Sequence, residues 1–122
     1  MSERVIKNNI IAGVLKRLSF AWRGFKYLWS REFSWRLEIT VAVLVFLLAW
    51  FLGWSSEKYL WLITVCVLVL AAEIINTIIE RLLDVIAPKL LPTVARLKDM
   101  LAALVLLMVL MSVAVGVILF LE

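Results

Sequence analysis

Histidine is absent from the 122-residue chain. That excludes imidazole acid–base chemistry and every metal site built on histidine. There is a single cysteine, Cys66, so no disulfide framework can form within the chain. It sits inside an apolar run and reads as a small apolar residue rather than a reactive thiol. The four glycines, Gly13, Gly24, Gly53 and Gly116, are too scattered for a P-loop or a dinucleotide fingerprint. With only two prolines and no apolar–polar alternation, the chain suits long helices and not a β-barrel. Residues 1–31 lack the apolar core and small-residue cleavage site of a signal peptide, so no cleavage is expected there.

Charge is missing from three long stretches, Ile39–Trp54, Tyr59–Ala72 and Met100–Leu121. The chain is 66% hydrophobic with a mean hydropathy of +1.08, well above a soluble domain. These features predict an all-α integral membrane protein in one domain, residues 1–122, with transmembrane helices over 33–54, 57–86 and 94–121. The first uncharged run is short for a span of ~20 residues, so its helix is expected to begin near Phe33. Gly53-Trp54-Ser55-Ser56-Glu57-Lys58 reads as a tight turn with an aromatic anchor. Pro88 and Pro92 bracket a second connection.

Residues 1–9 are polar and are expected to be mobile. Residues 10–31 have the pattern of an amphipathic helix. Ile10, Ile11, Val14, Leu15, Leu18, Trp22, Phe25 and Trp29 fall within an arc of about 140°, with Lys16, Arg17, Arg23, Lys26 and Arg31 outside it. Such a helix lies in a membrane interface. Phe20 and Tyr27 break the pattern on the polar side.

The net charge is +4, unevenly spread. Arg4, Lys7, Lys16, Arg17, Arg23, Lys26, Arg31 and Arg36 precede the first long apolar run. Arg81, Lys89, Arg96 and Lys98 flank the second connection, and Lys58 alone marks the first. This bias predicts a multi-pass protein with its N-terminus in the cytoplasm. The positive charge suits anionic lipid headgroups and phosphates. No nucleic acid is expected as a partner, because the aromatics do not interleave with a basic groove.

The second apolar run continues without a turn signal into Ala72-Glu73-Ile74-Ile75-Asn76-Thr77-Ile78-Ile79-Glu80-Arg81-Leu82-Leu83-Asp84. At about 100° per residue, Glu73, Asn76, Thr77, Glu80 and Asp84 fall on one face. Three carboxylates in line near hydrocarbon are costly without a partner or a wet cavity. A structural polar network is one explanation, but only Arg81 is nearby to balance it. A cation with a phosphorylated ligand is the better one. Magnesium is usually held by one or two carboxylates plus substrate phosphates. Lys98, Arg96 and Arg36 could neutralise phosphate charge. Phosphoryl transfer needs mainly positioning, charge neutralisation and a base for the attacking hydroxyl.

These motifs resemble the small integral-membrane diacylglycerol kinases of bacteria. The likeness extends over nearly the whole chain, through Trp22-Arg23-Gly24, Glu32 with Arg36 and Glu38, the Glu73–Glu80 block with Asp84, and Arg96-Leu97-Lys98-Asp99-Met100. It implies a surface helix, three spans and a homotrimer with sites between subunits. It also implies transfer of the γ-phosphate of ATP, with Mg²⁺, to diacylglycerol at the cytoplasmic interface. On this reading Glu73 is the catalytic base and Asn76 orients the reacting groups. Glu32 and Glu80 bind the metal, and Lys98, Asp99 and Asp84 face the nucleotide. Lys26, Trp29, Arg36 and Glu38, with Glu73, line the path of the lipid. Glu73 and Glu80 are about 10.5 Å apart along a helix axis, which favours separate roles.

The third span departs from the family pattern. Leu101 stands where a small residue would let helices approach closely, and Ala102 replaces a serine. Undecaprenol as acceptor, a catalytically silent scaffold of the same fold, and a proton-coupled transporter built on Glu73 are the alternatives. The transporter ranks last, since such a chain more often has four spans and one isolated carboxylate.

Overall fold

The computed structural model describes residues 2–87 and 91–122. Pro88 and Lys89, and with them most of the second connection, lie outside the described residues. The described residues form helices α1 (Glu3–Arg31), α2 (Phe33–Phe51), α3 (Ser56–Ile86) and α4 (Pro92–Leu121). The last three are long and apolar enough to cross a membrane. At 1.5 Å per residue, α2 is about 28 Å long and α3 about 46 Å, against ~30 Å of hydrocarbon. The chain divides into two compact units, Met1–Arg36 and Leu37–Glu122.

Helix α1 starts at Glu3 and not near residue 10. No glycine or proline interrupts residues 3–12, and each added residue gains a hydrogen bond once a helix is nucleated. The polar segment expected to be mobile therefore joins the helix. Of the α1 side chains only Leu28 is buried. Lys16 and Arg23 lie over the Phe20 ring at 5.9 and 5.0 Å from its centroid, and Lys26 over Trp22 at 5.6 Å. Phe20, the aromatic that departed from the apolar arc, is thus held by cations one turn on either side.

Helix α2 begins at Phe33, as its short uncharged run required, but ends at Phe51, three residues before Trp54. Gly53 takes a left-handed conformation, with φ of +67°. Its N–H donates to the Trp50 carbonyl at 3.1 Å, and the Trp54 N–H to Ala49 at 3.0 Å. These two bonds close the helix as a Schellman motif, and a side chain at position 53 would strain it. Ser55 then caps α3, its hydroxyl accepting from the Lys58 N–H at 3.4 Å. Pro92 opens α4 within its first turn, where a missing N–H costs nothing.

Helices α3 and α4 pack against each other and are tied at both ends. At one end the Lys58 ammonium donates to the Leu119 carbonyl at 2.8 Å, satisfying a terminal acceptor of α4. At the other, Lys98 pairs with Asp84 at 2.7 Å. Near that pair Leu83, Val94 and Leu101 form a buried cluster flanked by Ile79 and Ala87. Leu101, the bulky departure in the third span, is therefore a packing residue between α3 and α4. Lipid is as apolar as leucine, so truncating it loses packing more than transfer energy. L101A is expected to cost about 2 kcal/mol, the low end for a buried leucine. Reversible unfolding in mixed micelles measures this, and an unchanged stability would remove Leu101 from the core.

Candidate functional site

Helix α3 is built inside out. Its inward face runs through Leu62, Val65, Val69, Ala72, Glu73, Thr77 and Leu83, all buried. Asn76, Glu80 and Asp84 are half-buried on the same side, while Ile75, Ile78, Leu82 and Val85 are exposed. In water this arrangement would be costly. In a bilayer it puts apolar residues toward lipid and polar ones toward the protein. The upper part of the face is apolar, and the polar part begins at Glu73.

Glu73 is only 8% exposed, the most buried acid among the described residues. The Glu38 carboxyl of α2 lies within hydrogen-bonding reach of it. The second Glu38 oxygen, Oε2, is buried with no hydrogen-bond partner. A buried acceptor without a donor costs roughly 1–3 kcal/mol, so this oxygen is suited to a hydroxyl brought in by a ligand. Sequence reasoning placed Glu38 at the edge of a lipid path. Its proximity to Glu73 went unread, because that contact joins residues 35 positions apart on different helices.

An apolar cavity of about 570 Å³ starts beside Glu38 and is lined by α2, α3 and α4. Val41, Val45, Val65, Val69 and Val113 contribute walls, and Trp54 and Leu121 lie toward its far end. Ser112 adds little polarity, since its hydroxyl donates to the Val109 carbonyl of its own helix at 2.8 Å. The cavity therefore offers an apolar channel with one carboxyl, that of Glu38, in its lining, and Glu73 behind it. Its size falls in the range of small-ligand sites.

One turn beyond Glu80, Asp84 accepts from the Lys98 ammonium. Both side chains are about a third exposed or less. Lys98 is thereby held on the same side as the α3 acids. Asp99, the next residue, is exposed.

Residues Glu32 and Arg36 belong with α1. Glu32 is the C-cap of α1, in extended backbone conformation, and is half-buried. The Arg36 guanidinium donates to the Trp29 carbonyl at 2.9 Å and to Ser30 at 3.4 Å. The Trp29 side chain is about half exposed, and Lys26 is exposed. The lipid-path expectation for Arg36 is thus joined by a backbone role that its sequence position did not reveal. Among the described residues, no three acids, cysteines or histidines converge as a metal cage.

Comparison with known proteins identifies the family. A family model described as prokaryotic diacylglycerol kinase matches residues 19–120. Proteins named diacylglycerol kinase from Escherichia coli strain K12 and from Shigella flexneri are each 29% identical over 100 residues, covering 82% of this chain and 82% of their own. The family match takes in all three apolar helices and every candidate residue named above. An all-helical, multi-pass membrane protein with a buried acid on α3, it belongs to the prokaryotic diacylglycerol kinase family.

Proposed function

We propose that the chain is a membrane lipid kinase that moves the γ-phosphate of MgATP to diacylglycerol, giving phosphatidic acid. The observation that carries this reading is the Glu38 carboxyl in the lining of an apolar cavity, with Glu73 within hydrogen-bonding reach of it. A lipid alcohol has the matching chemistry, with a hydroxyl for the carboxyls and an acyl chain for the channel. Glu73 takes the proton from that hydroxyl. The freed oxygen bonds to the γ-phosphorus, and the bond to the β-phosphate oxygen breaks to leave ADP. Before the proton moves, Glu38 Oε2 helps dock the lipid by accepting from that same single hydroxyl, and Asn76 orients the reacting groups. Lys98, held by Asp84, neutralises phosphate charge, with Asp99 beside it.

Glu32 and Glu80 are the proposed metal ligands. Carboxylates are hard oxygen donors, and Mg²⁺ is usually held by one or two of them plus substrate phosphates. When bound, the ion neutralises charge on the transferring phosphoryl group. The proposed assembly is a homotrimer in the bacterial inner membrane. The N-terminus is cytoplasmic and α1 lies in the interface, its cations toward anionic headgroups.

The acceptor is tested by offering diacylglycerol and undecaprenol separately in mixed micelles with MgATP. The expected result is faster phosphorylation of diacylglycerol. A preference for undecaprenol would reassign the acceptor while keeping the chemistry. Loss of transfer to both lipids in an intact oligomer would leave only the silent scaffold.

A further inference from the structure

The break between α1 and α2 is a built corner. At Glu32 the backbone turns extended, with φ of −109° and ψ of 111°, and the helical ladder stops. The last four carbonyls of a helix have no partner inside it. Here the Leu28 carbonyl accepts from the Glu32 N–H at 2.9 Å. The next two acceptors, Trp29 and Ser30, are taken by the Arg36 guanidinium at 2.9 and 3.4 Å. A cation at a helix C-terminus is also favoured by the macrodipole. A second tie crosses the same break. The Trp35 ring, 5% exposed, stacks on Phe25 with centroids 6.1 Å apart and planes 21° apart. Two side chains from the first turn of α2 thus grip the last two turns of α1, and Glu32 is the residue between them.

From this we infer that Arg36 is a positioning residue for Glu32: its guanidinium replaces the missing helical N–H donors and fixes the direction in which the Glu32 carboxylate points. The proposal rests on the reading above, in which Glu32 serves the metal that accompanies the nucleotide. Both bonds leave one terminal guanidinium nitrogen, Nη1, held by the planar head group in a fixed direction, whereas an ammonium is a compact point charge on a flexible stem. Truncation of Arg36 would leave two acceptors to water and let the corner open.

The test uses the full-length protein in bicelles with Mn²⁺ and a non-hydrolysable ATP analogue. Binding is followed by the electron paramagnetic resonance of the metal, so no turnover is needed. E32Q and R36A are each expected to weaken binding about tenfold, and the double variant E32Q/R36A no more than E32Q alone. Amide hydrogen exchange should accelerate in R36A at residues 32–36 and stay unchanged in α3 and α4. Wild-type binding by R36A, additive losses in the double variant, or unaltered exchange at the corner would each overturn the proposal. If E32Q itself binds normally, Glu32 is no metal ligand, and both the metal assignment and the proposal fall together. Should R36A exchange rapidly throughout, it has not folded and R36K becomes the test. Keeping the charge and its donors but not the planar head group's fixed direction, R36K is expected to lose about threefold, and no loss would overturn the role assigned to the guanidinium.

Discussion

Replacement of Glu73 by glutamine is expected to lower phosphate transfer by about 10²–10⁴-fold, the usual contribution of a general base. The substitution keeps shape and hydrogen-bonding capacity but removes the carboxylate that would accept the lipid proton. Glu73 is buried on the inward face of α3, so a glutamine there still fits among the same neighbours. The KM for ATP should change little, because Glu73 is assigned to the lipid hydroxyl. E38Q separates the two carboxyls. It keeps an acceptor oxygen, and is expected to cost less than E73Q and to act mainly on the KM for lipid. Equal losses in both variants would mean that the two acids act as one unit. An unchanged rate in E73Q would remove Glu73 as the base.

The second large effect concerns the ion pair between α3 and α4. K98A removes a cation assigned to phosphate charge, and a charge-assisted bond of that kind contributes about 1.5–3 kcal/mol. The expected loss in kcat/KM for ATP is therefore roughly 10–150-fold, at 1.4 kcal/mol per decade. Asp84 contacts Lys98 directly at 2.7 Å, so D84N should act largely through Lys98. The double variant D84N/K98A is then expected to lose little beyond K98A alone. Losses that add would show Asp84 working independently, for instance as a nucleotide contact in its own right. Loss of the pair also releases one end of the α3–α4 packing, so thermal unfolding must be measured beside the kinetics. A fall in stability without a change in the KM for ATP would assign the pair to structure alone.

The polar face from Glu73 to Asp84 could be read from sequence because helical spacing is local. Five of the six polar residues in these twelve positions define a stripe whatever the helix packs against, and in the structure that stripe turns inward while Arg81 is exposed. The three spans were equally legible, since bilayer thickness sets their length. Boundaries were less so. Helix α2 stops at Phe51 because Gly53 adopts a left-handed conformation, and hydropathy alone cannot register where a glycine uses that freedom. Helix α1 gained seven residues that carry no amphipathic pattern, because helix propagation does not depend on one.

What the sequence could not show were contacts between elements. Glu38 beside Glu73, Lys98 on Asp84 and Lys58 on the Leu119 carbonyl each join residues far apart in the chain. Arg36 is the instructive case. As a charged residue near the membrane surface it has the composition of a ligand contact, and only the break at Glu32 shows why a guanidinium is needed there. Leu101 teaches the same lesson from the apolar side: bulk that departs from a family pattern is filled in by Leu83 and Val94.

The central claim is that the Glu38 end of the cavity accepts a lipid alcohol and that the neighbouring Glu73 activates it. The most direct measurement offers [γ-³²P]ATP, Mg²⁺ and diacylglycerol to the wild-type protein and E73Q side by side, with the label followed into phosphatidic acid. The account predicts label in phosphatidic acid for the wild type and at least a hundredfold less for E73Q, both proteins being equally folded. Label transferred equally by the two proteins, or by neither, would contradict it.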